Sequence, residues 1–362
     1  MTDVWSWVYE KERQLREQGE DALASSLGRI PQIATNGERA TLEAVFHTAV
    51  DRARTLDEPW VEVFLRHWRL QCLLLYDVDT RAAVPEAASL IEFCSRPETR
   101  DCPQSICAVQ DFCIAFGNVD GPGYADDRIG IALDTLARIE PTRSCYGCLV
   151  TELVDAYIDK GEPDKALAFL ETDGAHVKAG MQPRDLEENY HVAAAEIAIA
   201  KLDCAALAKH GKKLSEHGGA YRSSVGRAYI AFARANGKDE RARAAALANL
   251  EPWHELYQHR YTLDVALRAI TGVFDLNQPD GANAALWVGR LRDGCLQLAT
   301  DGASSNAITR AVAAAPIVAR VLGTDSALAM LQGVEPELSR LKDPRCLATK
   351  FAAAREKLLT QT

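Results

Sequence analysis

The chain has 362 residues, 48% of them apolar and 25% charged, with a formal net charge of −10. That composition is ordinary for a soluble globular protein, and the length suits two domains or one elongated repeat array. The acidic balance disfavours contact with phosphate backbones, so no nucleic-acid partner is expected.

The chain opens on MTDVWSWVYEKERQLREQGED, which lacks the basic region and unbroken apolar core of a secretory leader. No later stretch approaches the ~20 apolar residues of a membrane span. A cytoplasmic protein of bacterial type is therefore expected, with its 10 cysteines reduced. Residues 3–27 read as one amphipathic helix carrying Trp5 and Trp7, followed by a loop, GRIPQIATNGER. A terminal repeat needs a cover over its open apolar face, so residues 1–37 are read as an N-terminal cap. A partner-binding arm is the other reading of this segment.

Beyond residue 37, short breaker clusters recur with centres near 78, 120, 161, 203, 237, 278 and 324, in steps of 42, 41, 42, 34, 41 and 46. Apolar residues at i, i+3, i+4 and i+7 flank each one, which predicts a helix, tight turn, helix unit used about seven times. The clearest unit is TELVDAYIDKGEPDKALAFLE at 151–171. Leu153, Ala156 and Tyr157 share one stripe of its first helix. Gly161 stops that helix, because glycine readily takes the left-handed conformation that closes one. Pro163 suits the next helix start, where a missing N–H costs nothing. Ala166, Leu167 and Leu170 then face back, and the small Ala166 lets the helices approach closely.

Tyr157, Gly161, Ala166 and Leu170 follow the spacing of the tetratricopeptide repeat, and the chain resembles that family. The stretch AYIAFARANGKDERARAAALANL at 228–250 is similar. The resemblance implies an all-α fold, a right-handed α-solenoid of about seven helical hairpins. It also implies a protein-interaction scaffold with a concave groove for a peptide or helix. Residues 38–350 form the expected array, and residues 351–362, with Phe351 to Leu359 helical, its C-terminal cap.

The cysteines cluster in CPQSICAVQDFC at 102–113 and CYGC at 145–148. Cys145 and Cys148, three apart on a helix, would share a face. Cys107 and Cys113 are roughly 9 Å apart along a helix axis and point different ways. Cys102 precedes Pro103 and is placed at a helix N-terminus. Cys107 and Cys148 both stand 13 residues before a break, at equivalent positions on neighbouring first helices. Helix axes about 8–10 Å apart leave such thiols near one another but make joint ligation awkward. Small apolar cysteines filling helix contacts is the plain reading. A metal site using Cys107, Cys145 and Cys148, or a redox pair at 145–148 beside Arg143, are the alternatives.

No phosphate loop, HExxH or GxSxG sequence is present. The stretch GNVDGPGYADD lacks the order of a calcium loop and reads as a turn. No cofactor and no enzymatic activity are expected. Recognition residues are sought instead in EPWHELYQHRYTLDVAL at 251–267. There His254, Tyr257 and Tyr261 follow i, i+3, i+7 and Arg260 adds a guanidinium. Packing of Trp253, Tyr257 and Tyr261 into the neighbouring repeat, with solvated histidines, is the plain alternative. Asn189, Tyr190, Arg222 and Arg227 fall on first-helix faces where amide and guanidinium donors can hold a peptide carboxylate. The expected function is a scaffold, adaptor or regulatory subunit. The rival is a ligand-, metal- or redox-responsive regulator, or an enzyme, built on the Cys102–Cys148 region.

Overall fold

The computed structural model of the chain describes residues 4–143, 145–172, 174, 184–217, 220–237, 239–257, 260–276 and 283–360. Helices dominate, and no strand occurs among the described residues. None of the helices described is long and apolar enough to cross a membrane. The chain falls into two compact units, Met1–Phe116 with Asp127–Glu152, and Gly117–Asp126 with Leu153–Thr362.

The first unit holds α1 (Val4–Glu17), α2 (Asp21–Thr35), α3 (Arg39–Thr55), α4 (Pro59–Gln71), α5 (Thr80–Cys94) and α7 (Ala125–Leu136). It also holds most of α6 (Ser105–Asp120) and the start of α8 (Tyr146–Asp159). The single helix expected over 3–27 is two helices. Gly19 takes φ 81°, and the Glu20 N–H donates to the Leu15 carbonyl at 2.9 Å, which ends α1. The expected loop GRIPQIATNGER is largely helix, since α2 continues through Gly28 and Pro31 to Thr35. Leu23, Leu27 and Ile30 hold it in the core, and tertiary burial outweighs the N–H that Pro31 lacks. The same closure recurs at Gly37, φ 70°, and at Asp57, φ 55°, before α3 and α4. Trp7 lies 6.0 Å from Phe64 and 6.1 Å from Trp60, so the N-terminal tryptophans are seated against α4.

The second unit continues α8 into α9 (Pro163–Thr172), then α10 (Arg184–Ala200), α11 (Cys204–His217), α12 (Ala220–Asn236) and the short α13 (Glu240–Ala244). After them come α14 (Trp253–Tyr257), α15 (Arg260–Leu276), α16 (Ala284–Thr300), α17 (Ser304–Leu322), α18 (Thr324–Val334) and α19 (Arg345–Leu359). The turn at 161 forms as the residues dictate. Gly161 has φ 82°, the Glu162 N–H reaches the Tyr157 carbonyl at 2.8 Å, and Pro163 opens α9. Ala166 and Leu170 are buried. The breaks at 78, 120, 203, 237 and 324 also separate helices, whereas the one centred on 278 lies outside the described residues. At 203 the left-handed position is taken by Leu202, φ 54°.

One apolar cluster runs through this unit, from Val192 past Phe232, Leu263, Leu291 and Ile308 to Leu358. Helices α11 and α12 meet closely at two glycines. A Cβ added to Gly226 would stand 2.5 Å from the Gly211 carbonyl oxygen and 2.6 Å from the Ser215 nitrogen. The turn at 121–124 is built by Asp120, whose buried carboxylate accepts N–H groups from Gly123 (3.2 Å), Lys342 (2.9 Å) and Asp343 (3.4 Å). His254, Tyr257 and Tyr261, expected to line one helical face, are divided between α14 and α15.

Candidate functional site

In the first unit, polar and sulfur side chains gather where α4, α6 and the start of α8 contribute residues. Asp111 is wholly buried on α6. It accepts from Gln71 Nε2 at 2.5 Å and pairs with His67 Nδ1 at 2.7 Å. Cys107 stands one helical turn before Asp111 on the same helix. Its thiol is hydrogen-bonded to Cys145, and that bond, together with burial and the nearby Cys145, Asp111 and Cys148, pushes it well above an ordinary thiol pKa. Cys145 lies in the turn just before α8 rather than on the helix, and Cys148 sits in the first turn of α8.

The register argument brought Cys107 and Cys148 near one another. The structure adds that the direct contact goes to Cys145, because the chain bends into α8 at that point. Among the described residues no group of three or more His, Cys, Asp or Glu side chains is placed to hold a metal ion. Cys94 and Cys102 are buried, and burial pushes each thiol to about 12. Such thiols stay protonated and pack as small apolar groups.

In the second unit, the expected recognition residues separate. Asn189 is buried on α10, at 8% exposure. Beside it, the Tyr190 ring lies 6.2 Å from His210 of α11, and His191 Nδ1 is 3.0 Å from His210 Nδ1. Arg227 is engaged internally by the Glu255 carboxylate at 2.5 Å and the Ser224 hydroxyl at 3.1 Å. That guanidinium holds the Glu255 carboxyl below its ordinary pKa. His254 is exposed on α14. Trp253 packs edge-on against Trp287 at 6.0 Å with Arg290 over its ring. The side chains of Arg222, Tyr257, Arg260 and Tyr261 lie outside the described residues.

A different set converges from α10, α12, α15 and α17. Tyr229 of α12 donates to Glu196 of α10 at 2.8 Å. Asp264 of α15 pairs with Arg310 of α17 at 2.8 Å. Arg268 of α15 stacks 5.1 Å from the centre of the Phe232 ring. Its guanidinium feels Arg310, Asp264 and Glu196 through space, and desolvation leads in lowering its pKa. Desolvation likewise pushes the Glu196 carboxyl up to about 7, against the pull of Arg268 and the Tyr229 hydrogen bond. Sequence reading missed these residues because single charges on an apolar helix carry no local motif. One signal was available: Asp264 precedes the break at 278 by 14 residues, and Arg310 precedes the break at 324 by 14.

Comparison with protein-family models, with curated proteins and with solved structures gives no match.

Proposed function

We propose that the chain is a protein-interaction scaffold, an adaptor or regulatory subunit that binds a peptide or protein segment along the faces of its first helices. In this reading the hairpins stack as a right-handed superhelix of about seven units in a cytoplasmic setting. Two features support the stack. Helices contact mainly those close to them in the chain, such as α11 with α12, α12 with α15, and α17 with α18. The Asp264–Arg310 ion pair also links equivalent register positions of neighbouring first helices.

The observation that carries the binding reading is Arg268. Its guanidinium is recessed and stacked on Phe232, and among the described residues it forms no direct salt bridge. A desolvated guanidinium with donors to spare suits a carboxylate or a backbone carbonyl of a guest segment. The test is capture from a native extract by the immobilised full chain. Wild type should retain a discrete protein, and Arg268→Gln should reduce that retention at least ~10-fold, about 1.4 kcal/mol. Circular dichroism should remain unchanged. Arg292→Glu, on the second-helix element α16, should retain the partner. Equal loss from both variants, or no discrete partner, would refute the reading.

A further inference from the structure

We infer that Cys107 and Cys145 are a peroxide-responsive pair that closes to a disulfide within one chain. The two thiols belong to different elements of the same unit, α6 and the turn before α8, yet are already hydrogen-bonded to each other. Their surroundings are unequal. Cys107 is 6% exposed, whereas Cys145 is only half-buried. An oxidant from solvent therefore meets Cys145 first. Cys107, its thiol held protonated by the Cys145 hydrogen bond and by burial, is left to act second.

The chemistry needs a hydroperoxide as oxidant. The Cys145 thiolate attacks one peroxide oxygen, the O–O bond breaks, and the departing alkoxide or hydroxide takes up a proton. Sulfur is oxidised by two electrons to the sulfenic acid, and the peroxide is reduced to an alcohol or water. The Cys107 thiol then gives up its proton and attacks the Cys145 sulfur. The S–O bond breaks and water leaves. In sum, two thiols and one hydroperoxide become one disulfide, one alcohol or water, and one further water. The bond staples the turn before α8 to the first turn of α6. Cys94 and Cys102 influence each other only through space and are both buried, so they serve as a shielded comparison.

The test uses the full chain, treated with hydrogen peroxide, quenched in acid, alkylated after denaturation and mapped by mass spectrometry. The expected result is loss of 2 of the 10 free thiols, with one linked peptide pair joining Cys107 to Cys145, reversed by dithiothreitol. Cys148→Ser should leave the link intact. Cys107→Ser should stop the reaction at a sulfenic acid on Cys145 that dimedone traps, which keeps the test decisive should Cys145→Ser fail to fold. A Cys145–Cys148 link, a link between chains, or oxidation of the exposed Cys346 while Cys107 and Cys145 both stay free would each overturn the assignment.

Discussion

Two carboxylates show how placement decides what a residue does. Asp120 lies in a stretch that reads like a calcium loop, yet its oxygens accept three backbone N–H groups, two of them from residues 342 and 343. Replacing it with Ala removes all three of these part-buried hydrogen bonds and should cost about 1–3 kcal/mol, measured by urea unfolding. Glu196 behaves oppositely. Burial pushes its folded carboxyl up to about 7, whereas an unfolded carboxyl keeps its ordinary value of 4.5. Between those values the folded chain holds the extra proton, so this group's contribution to stability falls as pH rises through that window. Glu196→Gln keeps an acceptor for the Tyr229 hydroxyl and removes the titration. Relative to wild type, it should be more stable at pH 8 than at pH 5, by up to about 3 kcal/mol in urea unfolding. A difference that does not change with pH would contradict the assignment.

At the scale of elements, glycine has no single meaning. Gly226 is where α12 touches α11, and an added methyl would strike backbone atoms that cannot turn aside. Gly226→Ala should therefore destabilise by about 3 kcal/mol. Gly28, exposed inside α2, would meet nothing within 4 Å. Gly28→Ala should stabilise by about 1 kcal/mol, since Ala loses less backbone freedom in a helix. Thermal unfolding of both variants checks the opposite signs. The turns obey the same logic. Gly161 marked itself because glycine favours the left-handed region, whereas Leu202 and Asp57 take that conformation without any such mark.

At the scale of the whole molecule, the apolar residues among those described form separate clusters. One occupies the second unit, and two others lie in the first, around Leu27 with Phe64 and around Leu73 with Leu90. Damage in one cluster should remain there. Hydrogen exchange of Gly226→Ala should show lost protection across α10 to α15, with α2 to α4 retaining theirs; uniform loss would contradict this.

The all-helical character, six of the seven expected breaks among the described residues, and the local form of the turn at 161 followed from the sequence alone. They rest on apolar spacing, Gly and Pro, which act over a few residues of backbone. The helix through Pro31, the joining of Cys107 to Cys145 rather than to Cys148, and the engagement of Arg227 by Glu255 depended on the tertiary structure. Each is settled by burial or charge between residues remote along the chain. The Asp264–Arg310 pair stands between these cases: each residue precedes an expected break by 14 positions, but only the packing of α15 beside α17 brought the opposite charges together.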